Sequence, residues 1–122
     1  MPFSVPTPFV WDPSFDVGSK LFNEQHVKLF AMIDDLDHHQ ADKAKLAALL
    51  DYAVAHFKAE EAAFESHKFA DAVAHKAIHD KFVTDAVAAT QGGVVNDGII
   101  KFLKEWLVTH IKGSDMTYKG KV

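Results

Sequence analysis

The sequence predicts an all-α fold, an up-down-up-down antiparallel four-helix bundle with an extended N-terminal arm and a short C-terminal tail. Four segments repeat apolar residues at three- and four-residue spacings. The connections between them are short, which makes neighbouring helices antiparallel, and 122 residues suffice for one domain with a true core. We therefore expect a single domain over residues 1–122, divided into an arm (1–18), a bundle (19–112) and a tail (113–122).

Prolines define the arm. Pro2, Pro6 and Pro8 each fix φ and disfavour helix in the residue before them, so residues 1 to about 17 should be extended. The same prolines, together with the lack of a basic start, argue against a secretory signal. Gly18 and Ser19 then mark the change to a helical pattern.

The apolar residues predict the four helices in order. The first follows Ser19 and ends near His38, with the pattern Leu21, Phe22, His26, Leu29, Phe30 and Ile33. The second covers about 42–66, can be capped by Asp42, and carries Leu46, Leu49, Leu50, Ala53, Phe57 and Phe64. The third runs from near Asp71 to about Thr90 through Val73, Ile78, Phe82, Val83 and Ala86, and Gly92-Gly93 stops it. The fourth covers about 95–111 through Ile99, Leu103, Trp106, Leu107 and Ile111, and Gly113 then releases the chain.

Composition excludes several classes of function. A net charge of −4 with mixed signs argues against a surface for nucleic acid or for anionic membranes, because both need clustered lysine and arginine. The absence of cysteine removes disulfides, thiolate metal sites and a cysteine nucleophile, so any metal must bind nitrogen and oxygen. No apolar run approaches the roughly 20 residues of a membrane span. We expect a soluble, cytoplasmic protein.

Polar side chains interrupt the apolar faces of all four predicted helices. Residues four apart on a helix project from the same side. These inward positions are His26 on the first helix, His56 and Glu60 on the second, His75 and His79 on the third, and His110 on the fourth. Asp115 follows the Gly113 break, where a turn can return its carboxylate to the end of the bundle. The remaining histidines, His38, His39 and His67, extend no apolar stripe and are expected at the surface.

Together these residues indicate a metal site. A single inward histidine is more often a hydrogen-bonded core residue than a ligand. Five imidazoles and a glutamate in one small core would instead leave many buried polar groups without partners, at roughly 1–3 kcal/mol each. Iron, zinc, copper or manganese would satisfy them. Five histidines and two carboxylates exceed the roughly four ligands of one zinc, so two metals are implied. The spacing also differs from the Glu-x-x-His pairs of ferritin-like sites.

The order of these residues resembles the ligand set of the hemerythrins, a family of non-haem di-iron oxygen carriers. The resemblance covers nearly the whole chain and includes "VWDPSF", "EQH", "HFKAEE", "AHKAIHDKF" and "EWLVTHIKGSDMTYKGKV". The last segment is similar to the invertebrate branch of the family. The length of chain between His79 and His110 is similar to that of the monomeric muscle type, the myohemerythrins, which favours a monomer.

The resemblance implies a specific site. His75, His79 and His110 would hold one iron, and His26 and His56 the other. Glu60 and Asp115 would bridge the two ions together with a solvent-derived oxo or hydroxo group. Dioxygen would bind at the position left open on the iron with two histidines. Its apolar surroundings would be Leu29, Phe57, Trp106, Leu107 and Ile111.

Three functions remain open at this stage. The first is reversible dioxygen binding for storage or transport, which is not an enzymatic activity. The second is a di-iron redox enzyme or sensor acting on peroxide or nitric oxide, and the third is an iron-storage or metal-binding bundle. The sequence favours the first, because no second domain is evident, no cysteine or tyrosine falls on the predicted inner faces, and the pocket residues are aliphatic and aromatic.

Overall fold

A computed structural model describes residues 3–93 and 95–122, and within them the chain folds as a four-helix bundle without strands. The first two residues of the predicted arm and Val94 lie outside the described part. The four helices are α1 (Lys20–Asp37), α2 (Lys43–Ser66), α3 (Ala72–Ala89) and α4 (Asp97–Gly113). Short 3-10 helices occur at Pro13–Phe15, Gln91–Gly93 and Asp115–Tyr118. All four predicted helices are confirmed, with ends displaced by one or two residues. None of the described helices is long and apolar enough to cross a membrane.

Side-chain contacts show that neighbouring helices run antiparallel. Between α2 and α3, Phe57 meets Phe82, Glu61 meets His79, and Phe64 meets His75, so residue numbers rise along one helix as they fall along the other. Helix α1 packs against α2 and α4. Helices α3 and α4 meet through large aromatic side chains. These contacts confirm the predicted up-down-up-down order.

An aromatic stack spans the gap between α3 and α4. The ring of Phe82 lies parallel to the indole of Trp106, with ring centroids 3.9 Å apart. One turn along α4, Trp106 in turn stacks on the imidazole of His110 at 4.4 Å. Stacked rings contribute binding energy beyond the area that they bury. The stack therefore holds α3 against α4 and fixes the orientation of His110, an inward histidine.

Three helices begin at side-chain caps. Ser19 Oγ accepts the backbone N–H of Phe22 at the start of α1, and Asn96 Oδ1 accepts that of Ile99 at the start of α4. Asp42 Oδ1 accepts the N–H of Lys45, which confirms the predicted cap of α2. Each cap satisfies one of the four N–H groups that a helix start leaves without a partner in the helix.

The end of α2 adopts a Schellman motif. The N–H of Phe69 donates to the carbonyl of Phe64, and the N–H of Lys68 donates to that of Glu65. The rings of Phe64 and Phe69 pack at 5.0 Å, which is the apolar contact that accompanies this motif. The motif places Lys68 at φ 52°, in the left-handed region that glycine usually occupies. The backbone at Lys68 is therefore strained.

Replacing Lys68 with glycine is expected to stabilise the protein. Glycine removes the steric cost of the left-handed conformation but adds disorder to the unfolded chain, so the net gain should be roughly 0.5–1 kcal/mol in the free energy of unfolding. Urea denaturation measures it. The control is Lys58→Gly, an exposed position inside α2, which should instead lose about 1 kcal/mol. A loss at both positions would contradict the strain argument.

The N-terminal arm packs onto the bundle. Phe9 stacks on Phe30 of α1 with centroids 4.4 Å apart, and Phe15 meets the same ring edge-on at 4.9 Å. Phe9, Phe15 and Val17 are all buried. The prediction was an extended arm, and within residues 3–19 the structure forms no helix apart from the 3-10 turn at Pro13–Phe15. The arm therefore supplies part of the hydrophobic core.

Three predicted core positions are wrong. Leu21, Val73 and Ile78 are 55 %, 85 % and 40 % exposed. On α3 the inner face is occupied by His75, His79, Phe82 and Ala86. Val73 lies two residues before His75, about 200° around the helix, so it faces away from the core. Ile78 lies about 100° from its neighbour His79, at the edge of the inner face.

Candidate metal centre

The seven residues singled out in the sequence meet inside the bundle. His26 lies on α1, His56 and Glu60 on α2, His75 and His79 on α3, and His110 on α4. Asp115 begins the 3-10 helix that follows α4, so the turn after Gly113 does return its carboxylate to the bundle. None of the seven is more than 4 % exposed. His38, His39 and His67 are at the surface, as predicted.

The side chains form two groups that share both carboxylates. One group contains His75, His79 and His110, and the other contains His26 and His56; Glu60 and Asp115 belong to both. Within each group the potential ligand atoms lie within 4.8 Å of one another. We call these the three-histidine group and the two-histidine group. Such sharing is the arrangement that two neighbouring cations bridged by carboxylates require.

Distances show how each carboxylate spans the two groups. Glu60 Oε1 lies 3.3 Å from Nε2 of His79, whereas its Oε2 lies 3.7 Å from Nε2 of His26. Asp115 Oδ1 lies 2.9 Å from Nε2 of His75, and its Oδ2 lies 3.2 Å from Nε2 of His26. Asp115 therefore turns one oxygen toward each group. Glu60 Oε1 also lies 3.5 Å from Nε2 of His56, so this single oxygen is close to both groups.

Several of these buried atoms lack a hydrogen-bond partner among the described residues. They are Glu60 Oε1, both oxygens of Asp115, Nε2 of His75, and Nδ1 of His26 and His110. Nε2 of His75 is close to Asp115 but not aligned for a hydrogen bond. Leaving such groups buried and unpaired costs roughly 1–3 kcal/mol each. The unpaired atoms that face the centre are Nε2 of His75, Oε1 of Glu60 and both oxygens of Asp115. Imidazole nitrogen and carboxylate oxygen fit divalent cations such as iron, so these residues fit the metal that the sequence implied.

The electrostatics of the centre favour positive charge. Burial and the charge of Asp115 would raise the pKa of Glu60, but close contacts with the imidazoles of His26 and His79 outweigh them and lower it to about 2. The pKa of Asp115 is also lowered, because contacts with His110, His26 and His75 outweigh its burial. Both carboxylates therefore stay ionised, which places two negative charges in a core that excludes water.

The pKa values of the two imidazoles in the two-histidine group are shifted in opposite directions. Burial lowers the pKa of His26, yet its contacts with the carboxylates of Asp115 and Glu60 prevail and raise it to about 9. Burial lowers the pKa of His56 to about 4. Their Nε2 atoms are 3.1 Å apart, and this close approach disfavours the state in which both rings carry a positive charge at the same time. His56 thus offers a neutral nitrogen, the form that binds metals.

Two further polar residues orient the histidines, and the sequence analysis missed both. Nδ1 of His79 lies 2.9 Å from Glu61 Oε2, and Nδ1 of His56 is hydrogen-bonded to Gln25 Oε1. When Nδ1 donates its hydrogen to such an acceptor, the lone pair of Nε2 is left to face the centre. The adjacency of Glu61 to Glu60 and of Gln25 to His26 was visible, but their partners depend on how helices pack.

Tyr118 corrects one argument from the sequence. It lies after α4 in the 3-10 helix, is fully buried, and donates its hydroxyl to Glu60 Oε2 at 2.7 Å. Burial, together with the charges of Glu60 and Asp115, strongly raises the pKa of Tyr118, so its hydroxyl stays protonated and can donate the hydrogen bond to Glu60. A tyrosine therefore does reach the inner site, by way of the tail and not of a helix face.

An apolar cavity of about 20 Å³ lies beside the centre. Four of the five residues predicted around a bound gas, Leu29, Phe57, Trp106 and Leu107, line it. Ile111 is fully buried but is not among its lining residues. The other lining residues are Ile33, Leu49, Leu50, Ala53, Phe82 and Leu103. Because water needs polar partners, an apolar cavity of this size stays dry and suits a small apolar molecule.

Comparisons with known proteins agree with this geometry. The family model "Hemerythrin HHE cation binding domain" matches residues 17–122. A hemerythrin-like protein of Naegleria gruberi is 52% identical over 98% of this chain and 98% of its own length. The myohemerythrin of Riftia pachyptila is 38% identical over the full length of both chains. A crystal structure of wild-type hemerythrin superposes with a TM-score of 0.87 at 31% identity, covering 92% of this chain and 95% of that one.

Proposed function

The chain belongs to the hemerythrin family, and from that premise we propose that it binds dioxygen reversibly at a di-iron centre. His75, His79 and His110 would hold one iron, and His26 and His56 the other. Glu60 and Asp115 would contact both ions, together with a solvent-derived oxo or hydroxo bridge. When bound, the iron pair would supply the two electrons that dioxygen takes up and would recover them when it leaves.

The observation that carries the proposal is the inequality of the two groups. Both share the same carboxylates, but one has three imidazoles and the other two. The two-histidine position is therefore one protein ligand short, which leaves room for a small molecule. Leu29 lies one turn along α1 from His26, which belongs to this group, and is one of the residues that line the apolar cavity.

The protein's own residues support release of dioxygen as well as its binding. The cavity side chains Phe57, Trp106 and Leu107 exclude water from the approach to the centre. Burial also keeps bulk water away as a source of protons, and such a source would let dioxygen, once reduced by two electrons from the iron pair, leave as hydrogen peroxide. Glu60 and Asp115 stay ionised and so neutralise positive charge at the centre. A site that excludes bulk water in this way is what a reversible carrier requires.

Metal content and response to air test the proposal directly. Protein purified from iron-replete cells should contain two irons per chain. Reduced under argon and then exposed to air, it should gain visible absorbance and lose it again when argon is restored. One iron per chain, or a preference for zinc, would overturn the di-iron centre. Two irons without a reversible change in absorbance would favour iron storage instead.

A second candidate function, a di-iron redox enzyme, is favoured by one specific contact. The Tyr118 hydroxyl donates a hydrogen bond to Glu60, so a phenol group does lie next to the proposed metal ligands. If the protein is a carrier, Tyr118→Phe should keep two irons and the reversible response to air. If it is an enzyme that consumes peroxide, the same variant should lose most of its turnover, measured as peroxide consumption with a reductant present.

We also propose that the protein acts as a monomer in the cytoplasm, with dioxygen as its partner. Its similarity to myohemerythrins supports the monomer. The absence of cysteine from the sequence supports a reducing compartment.

A further inference from the structure

Each group of candidate ligands has one imidazole with a side-chain acceptor on its outer nitrogen. In the two-histidine group it is His56, bonded to the amide oxygen of Gln25. In the three-histidine group it is His79, bonded to the carboxylate of Glu61 at 2.9 Å. The two acceptors occupy corresponding places but differ in charge.

The carboxylate of Glu61 forms an ion pair with His79. Its side chain is 22% exposed and lines a surface crevice of about 160 Å³ between α2 and α3, together with Lys58 and Lys76. Lys76 is paired with Asp80 at 2.7 Å. In the part of the chain that the structure describes, the ion pair made by Glu61 is the one with His79.

We propose that Glu61 is a positioning residue that strengthens metal binding in the three-histidine group and so widens the difference in affinity between the two metal positions. A carboxylate behind a ligating imidazole holds the ring in one orientation and raises its basicity, and a neutral amide does so less. The third imidazole already favours this position, and Glu61 adds to that preference. The inference rests on the proposed metal centre, but not on dioxygen binding.

Titration of the metal-free protein with Co²⁺ under argon tests the inference, because the visible absorbance of Co²⁺ reports ligation without any need for activity. The parent protein should bind two Co²⁺ ions in two steps of unequal affinity. In Glu61→Gln, which keeps the shape and an acceptor oxygen but loses the charge, the tighter step should weaken by about 10–100-fold and the weaker step should stay within about twofold. A chelator of known affinity places both constants on one scale.

Two further variants separate a specific effect from a general one. Glu65→Gln removes the same charge one turn along α2 at an exposed position, and it should leave both steps unchanged. Gln25→Glu places a carboxylate behind His56, and it should strengthen the weaker step and narrow the gap between the two.

Several outcomes would overturn the inference. An unchanged tighter step in Glu61→Gln would show that the charge does not act through His79. Equal weakening of both steps would show a general effect on the bundle. A parent protein that binds no Co²⁺ and no iron would overturn the proposed function as well, whereas normal two-metal binding with insensitive variants would overturn the role of Glu61 alone.

Discussion

Glu60→Ala is expected to abolish binding of both metal ions at once. Glu60 belongs to both ligand groups, with one oxygen 3.3 Å from Nε2 of His79 and the other 3.7 Å from Nε2 of His26. Removing it takes a ligand from each ion and also strips the buried hydroxyl of Tyr118 of its acceptor. Iron content should fall from two per chain to near zero, measured by elemental analysis of purified protein.

The control variants lie on the same helix or at its end. Glu65→Ala makes the same substitution at an exposed site of α2, and His67→Ala removes an exposed imidazole at its C-terminal cap. Both should retain two irons and the spectrum of the parent. If Glu60→Ala behaved like them, the assignment of Glu60 to a shared ligand would be wrong. Retention of one iron would show that the two positions fill independently.

Leu107→Ala is expected to shorten the life of the oxygenated protein without emptying its centre. Leu107 is 4 % exposed and lines the apolar cavity with Trp106 and Phe57. Truncation leaves a larger space that admits water and protons, which promote irreversible loss of peroxide. We expect decay to the ferric state to accelerate roughly tenfold, equivalent to about 1.4 kcal/mol in the barrier. Stopped-flow mixing with dioxygen, followed by the slow spectral decay, measures both steps on one sample.

Loss of stability has to be separated from this effect. A buried Leu→Ala change costs about 2–5 kcal/mol wherever it is made. Leu36 is fully buried on α1 but does not line the cavity, so Leu36→Ala supplies a comparable loss of stability elsewhere. It should decay at the rate of the parent. Equal acceleration in both variants would show that general loosening, and not access through Leu107, controls the decay.

The sequence predicted the helices and the convergence of the candidate ligands well, because both depend on spacing along one chain. His75 and His79 share a face whatever surrounds them, since four residues are close to one helical turn. Asp42 caps α2 through contacts within four residues. The structure brings the predicted ligands together in two groups. That these groups hold iron stays a prediction.

Features that depend on how the helices and the tail pack against one another could not be predicted from spacing along the sequence. Tyr118 reaches Glu60 because the tail folds back over the bundle. The spacing of residues along the helices does not predict this contact. From sequence alone, Glu61 could not be distinguished from a solvated surface residue, because its partner His79 lies on α3. The exposed Val73 shows the opposite error, in which an apolar residue was assigned to the core on its type alone. Exposed apolar residues are common, so type without position decides little.

The position of Asp115 after α4 has a consequence for biosynthesis. A ribosome delivers the chain from its N-terminal side, so His26 and His56 emerge well before the second shared carboxylate exists. A nascent chain that has completed all four helices still lacks Asp115, and with it one contact to each ligand group. If the centre binds iron as proposed, the complete set of ligands exists only once the tail has folded back, so insertion of iron would follow translation.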